Sequence, residues 1–143
     1  MNGGSILLVE DNPDDVELAL RALDRNNIRN EVVIATDGEQ ALRLLFGEGL
    51  RPALVLLDLN LPGVGGLDVL DRIRDDHRTA LVPTVILTSS REDEDVLGGY
   101  RHGANSYIPK PIDFARFVEV VRQVGLYWLL LNEAAPAAGE PAR

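Results

Sequence analysis

The sequence predicts an α/β fold in which one parallel β-sheet carries helices on both faces. Three observations lead there. Short apolar runs recur at Ile6-Leu7-Leu8-Val9, Val32-Val33-Ile34-Ala35, Leu54-Val55-Leu56-Leu57 and Val85-Ile86-Leu87, and runs without alternation read as strands buried on both faces. Between them lie longer segments whose apolar residues fall three or four apart, as on an amphipathic helix. The two kinds of segment alternate regularly, the pattern of crossover units and not of hairpins.

The first strand is the run Ile6 to Val9. The first helix follows at once: Asn12 can cap it, Pro13 suits its first position, and Asp14 and Asp15 complement the positive end of its dipole. Val16, Ala19, Leu20 and Leu23 give its apolar face. The second helix is marked by Ala41, Leu42, Leu44 and Leu45, and the third by Leu67, Leu70 and Ile73. Gly63, Gly65 and Gly66 read as turn residues after the third strand. A fourth helix contains Val96, Leu97 and Tyr100, and its acidic start, Glu92 to Asp95, is expected to serve capping and solubility, with a basic partner as the alternative. A fifth short strand, Ser106-Tyr107-Ile108, precedes a last helix from about Asp113 to Leu131. Residues 1–132 are expected to form one domain. Residues 133–143, rich in Ala, Pro and Gly, are expected to be a disordered tail.

Composition narrows the function. With 143 residues and 45% hydrophobic content, the chain can build one core and has no room for a second module. A net charge of −9 argues against nucleic acid, whose phosphates need Lys and Arg. The absence of cysteine rules out disulfides and thiolate metal sites. No signal peptide is read at the N-terminus, and no apolar run approaches the ~20 residues that cross a bilayer, so a cytoplasmic protein with no membrane association is expected.

In an open parallel sheet, ligands gather beyond the carboxyl ends of the strands. Polar residues stand at those ends here: Glu10 and Asp11 after the first strand, Asp58 after the third, Thr88 and Ser89 after the fourth, and Lys110 between Pro109 and Pro111 after the fifth. Three converging carboxylates repel one another unless a cation or a proton lies among them. Magnesium, which takes a few oxygen ligands, retained waters and a phosphate, suits such a half-open acidic pocket, and manganese is an alternative. Taken singly, Glu10 or Asp11 could simply begin a solvated loop. Their conjunction with Asp58, Thr88 and Lys110 favours a site. His77 and His102 lie away from the strand ends and are read as surface residues.

From about Ser5 to Leu131 these residues resemble the receiver domain of response regulators. The likeness rests on Leu8-Val9-Glu10-Asp11-Asn12, Leu57-Asp58-Leu59-Asn60-Leu61-Pro62-Gly63, Leu87-Thr88-Ser89 and Lys110-Pro111. It implies a flavodoxin-like, receiver-type doubly wound sheet of five parallel strands in the order 2-1-3-4-5, with five helices. It further implies that Asp58 accepts a phosphoryl group from a sensor histidine kinase. Asp11, Asp58 and the backbone carbonyl of Asn60 would hold Mg2+, and Glu10 would act through a bound water. Thr88 and Lys110 would contact the phosphoryl group, with Tyr107 as the aromatic switch. The resemblance also suggests a cis Lys110-Pro111 bond, which the sequence merely allows. Such a protein is a signalling phosphoacceptor, not an enzyme acting on other substrates. Within receivers, the chain resembles the small stand-alone regulators paired with phytochrome-type histidine kinases. The features are Asp11-Asn12-Pro13 with Asp15, Leu59-Asn60-Leu61-Pro62, Gly103 to Tyr107, and the ending from Phe117 to Trp128-Leu129.

The end of the last helix is apolar on every face through Leu126, Tyr127, Trp128, Leu129 and Leu130. A surface helix needs only a stripe, so a homodimer is expected through the fourth helix, fifth strand and last helix. Three rivals are weaker. A flavin-binding domain would need phosphate donors where Glu10 to Asp15 present carboxylates. An aspartyl phosphatase would need an acid two residues after Asp58, where Asn60 stands. A pseudo-receiver would use the fold as an unphosphorylated interaction module, although all the expected chemical groups are present.

Overall fold

The computed structural model describes residues 4–89 and 103–134, with side chains as far as Leu126. The helix expected around Val96 lies outside the described residues, as does the chain after Ala134. Five strands form one sheet: β1 (Ser5–Val9), β2 (Val32–Ala35), β3 (Pro52–Asp58), β4 (Thr84–Thr88) and β5 (Ser106–Pro109). Every pairing is parallel and the order is β2-β1-β3-β4-β5, as expected. Four helices are described: α1 (Pro13–Arg25), α2 (Gly38–Leu42, continued by a π-type turn over Arg43–Gly47), α3 (Gly66–Asp75) and α4 (Phe114–Ala134).

The unbroken apolar runs reflect two cores, one on each face of the sheet. Ile6 and Leu8 of β1, with Leu54 and Leu56 of β3, pack under α1 and α4 against Ala19, Leu23, Phe117 and Val121. The intervening Leu7, Val9, Val55 and Leu57 pack under α2 and α3 against Ala41, Leu45, Leu70 and Ile73. The period of two along a strand therefore requires every position of a central strand to be apolar. β2 departs from that rule. It pairs only with β1, and Ile34 is 39% exposed, because a strand at the sheet margin is covered less completely. On α1 the buried face is Ala19, Ala22 and Leu23, whereas Leu20 turns outward.

Local rules set the helix starts. Asn12 Oδ1 accepts the N–H groups of Asp14 (2.9 Å) and Asp15 (3.4 Å), with Pro13 in the first turn. At the other end of α1, the Asn26 side-chain amide donates to Ala22 O and to Val118 O, tying α1 to α4. Gly63 has a φ of +73°, a turn conformation as expected. Gly66 has a different cause: a Cβ there would lie 2.4 Å from the carbonyl oxygen of Asp58, so its lack of a side chain lets α3 start against the end of β3. The Lys110-Pro111 peptide is cis.

Candidate functional site

The carboxyl ends of β1, β3, β4 and β5 bring together most of the residues singled out in the sequence. Asp58 closes β3 and is 2% exposed; Glu10, one residue beyond β1, is fully buried; Asp11 is exposed at the rim. One carboxylate oxygen from each of the three lies within 4.8 Å of the others. Strand register explains the convergence, since β1 and β3 are direct neighbours with Val9 opposite Leu57. Each strand then delivers its next polar residues to the same edge.

Backbone donors hold two of the carboxylates. Asn12 N–H donates to Glu10 Oε2 (3.1 Å), and Asn60 N–H donates to Asp58 Oδ1 (2.9 Å). The Asn60 side-chain oxygen accepts from the Ser89 hydroxyl (3.2 Å), linking the loops after β3 and β4. Lys110, brought in by β5, places its ammonium 2.7 Å from Glu10 Oε1, 3.0 Å from Asp15 Oδ2 and 3.3 Å from Asp58 Oδ2. The contact to Glu10 is an ion pair, and among the described residues the buried Oε1 has no other polar partner that satisfies it as a hydrogen bond.

Protonation follows from this imbalance of one ammonium and four carboxylates. Burial pushes the Glu10 carboxyl up to about 7, against the opposing pull of Lys110 and the Asn12 N–H, and the Asp58 charge adds to the rise. Burial would lower the Lys110 ammonium, but Glu10, Asp15 and Asp58 more than offset it and hold the group above its ordinary value. A buried carboxylate oxygen without a hydrogen bond, beside two more carboxylates, is the environment a hard divalent cation relieves. Glu10, Asp11 and Asp58 therefore fit magnesium or manganese.

Thr88 is buried at the end of β4, and its carbonyl accepts the Lys110 N–H at 2.7 Å. Tyr107 pairs in register with Ile86, two residues before Thr88, and is partly buried against the core under α2 and α3. The expected surface of α4 is described only at Leu126, which is 49% exposed; the side chains of Tyr127, Trp128, Leu129 and Leu130 lie outside the described residues. His77 is solvent-exposed, while His102 and the acidic stretch from Glu92 lie outside the described residues. The site contains one group that sequence reasoning did not assign to it. Asp15 reads as a helix-dipole residue, and only the approach of β5 to the start of α1 reveals its contact with Lys110.

A family model described as the response regulator receiver domain matches residues 6–122. The probable methanogenesis regulatory protein FilR2 of Methanothrix harundinacea is 39% identical over 133 residues, covering 90% of this chain and 86% of the relative. The response regulator Rcp1 of Synechocystis is 35% identical over 129 residues, covering 87% and 88%. Among solved structures, the Mn(2+)-bound form of response regulator Rcp1 aligns with a TM-score of 0.75 at 32% identity, covering 98% of this chain and 100% of that chain. The bacteriophytochrome response regulator RtBRR aligns with a TM-score of 0.74 at 43% identity, covering 94% and 86%.

Proposed function

The chain belongs to the response regulator receiver domain family, and from that premise we propose that it is a phosphoacceptor of a two-component system, loaded on Asp58 by a sensor histidine kinase. The observation that carries this reading is the placement of Asp58. Its carboxylate is 2% exposed, anchored by the Asn60 N–H on one oxygen and faced by the Lys110 ammonium on the other. In the transfer, an Asp58 carboxylate oxygen attacks phosphorus in line, the phosphorus–nitrogen bond of a phosphohistidine breaks, and the ring, already protonated on its other nitrogen, leaves as neutral imidazole. Lys110 faces the charge that gathers on the equatorial oxygens, and Thr88 supplies a hydroxyl at the adjoining strand end. Water later cleaves the acyl phosphate and restores the carboxylate.

Asp11 and Asp58, with the carbonyl of Asn60, would hold Mg2+, and Glu10 would orient one of its waters. When bound, the ion supplies positive charge against the phosphoryl oxygens. The chain in this reading catalyses only its own phosphorylation and dephosphorylation. Tyr107 and Thr88 face the same layer of the sheet two residues apart in register, which supports a switch in which Thr88 turns to the phosphoryl group and Tyr107 moves into the space released.

The likeness to the bacteriophytochrome response regulator RtBRR supports a phytochrome-type kinase as the donor, and a cytoplasmic location suits such a partner. Residues 1–132 act as the receiver, and α4 continues through Ala134. Exposed Leu126 and the apolar residues that follow it support a homodimer through this end of α4. The test is transfer of labelled phosphoryl from an autophosphorylated phytochrome-type histidine kinase to the native chain and to Asp58→Asn. Label on the native chain alone is expected. Equal labelling of both variants rules out Asp58 as the acceptor, and no label on either supports the pseudo-receiver.

A further inference from the structure

Asp15 is the carboxylate of this pocket to which the metal and phosphoryl chemistry gives no task. Its Oδ2 lies 3.0 Å from Lys110 Nζ, and both side chains are 14% exposed. It belongs to the first turn of α1, and it is absent from the group of Glu10, Asp11 and Asp58 whose oxygens converge within 4.8 Å. The three anions around Lys110 therefore differ in what happens when the pocket fills. A cation would draw charge from Glu10 and Asp58, and phosphorylation would turn the Asp58 carboxylate into an acyl phosphate whose negative charge lies out on the phosphoryl oxygens. Asp15 keeps its charge in both events.

We propose that Asp15 is a positioning residue for Lys110: it holds the ammonium at the mouth of the pocket when metal and phosphoryl group have taken its other two partners. The contact itself is independent of the phosphoacceptor reading; its consequence for phosphoryl transfer rests on that reading. A lysine ammonium is a point charge on a flexible stem, and a fixed counter-charge outside the reacting centre removes the entropy of finding the productive position. The local sequence supports the geometry. Asn12 caps α1 and receives the Asp15 N–H, so the backbone that carries Asp15 is fixed, and Lys110 stands between Pro109 and Pro111.

Lys110 is the only lysine in the chain, so its side chain can be followed without assignment ambiguity. With Lys Cε labelled by 13C and Mg2+ present, the native chain should show two inequivalent Hε protons, the mark of a held side chain. Asp15→Asn should average them and slow phosphorylation by a small acyl phosphate about tenfold, while its Mg2+ titration stays near native. Asp15→Glu should restore both readouts. An inequivalent pair in Asp15→Asn, or a native phosphorylation rate in that variant, overturns the proposal. If the native chain takes no phosphoryl group, the phosphoacceptor reading falls, and the Hε pair alone decides whether Asp15 holds Lys110.

Discussion

Two basic side chains, at opposite ends of the sheet, meet opposite environments. At the amino-terminal end of β4 and β5, half-buried Arg74 of α3 donates from Nε to Gly103 O (2.9 Å), from Nη1 to Val82 O (2.8 Å) and from Nη2 to Asn105 Oδ1 (3.1 Å). Asn105 Oδ1 also accepts the Thr84 N–H (2.8 Å), so one guanidinium and one amide hold the start of both strands and the end of α3 together. At the carboxyl end, one ammonium, Lys110, meets three carboxylates, Glu10, Asp15 and Asp58, and among the described residues the buried Glu10 Oε1 has only this ion pair. Among the described residues, the first cluster matches a fixed fork of donors to three neutral acceptors. The second carries an excess of negative charge that only a further cation or a proton relieves. A saturated cluster holds a fold, whereas an unsaturated one is built to receive something.

Breaking the two clusters should separate these roles. Replacing Lys110 by Ala should have the largest effect on chemistry: phosphorylation by a small acyl phosphate in saturating Mg2+ should slow by about a hundredfold or more, as expected for removing a donor aimed at developing charge. The fold should persist, since the cation offsets the carboxylates left behind. A rate within a fewfold of native would remove Lys110 from the reaction. Replacing Arg74 by Ala should do the reverse, costing about 2–3 kcal/mol in denaturant unfolding because several partly buried carbonyls lose a charged donor. Its phosphorylation rate below the unfolding transition should remain near native, and a hundredfold loss there would show that the two ends are not separable.

A smaller effect sharpens the comparison through pH. The Glu10 carboxyl stands at about 7, above its ordinary value of 4.5, so between these limits the folded state binds more protons than the unfolded one. Stability of the metal-free chain should therefore fall as pH rises from 4.5 through 7, and Mg2+ affinity should rise over the same range as the proton leaves. Glu10→Gln should flatten the stability profile in urea melts at several pH values. A native profile with no such slope contradicts the unsaturated pocket.

The same contrast explains what was legible in the sequence. The core strands were readable because β1 and β3 are covered on both faces, which forces apolar residues at every position. β2 was read as equally buried, yet Ile34 is exposed, because an apolar run does not say which strand lies at the margin. Glu10, Asp11, Asp58 and Lys110 could be placed at one edge because parallel strands end together. Asp15 and the cluster around Arg74 could not, since each depends on a side chain meeting an element far along the chain. Gly66 reads as a turn residue in the sequence, yet it opens α3, and its close approach to the Asp58 carbonyl oxygen appears only once α3 packs on β3.

On the reading proposed above, Asp58, in the unsaturated pocket, accepts the phosphoryl group. Intact mass after incubation with Mg2+ and a small acyl-phosphate donor tests it most directly, with Asp58→Asn alongside. One added phosphoryl mass is expected on the native chain, reversed on standing, and none on the variant. An unchanged native mass with the fold intact, or equal gain in both chains, would contradict it.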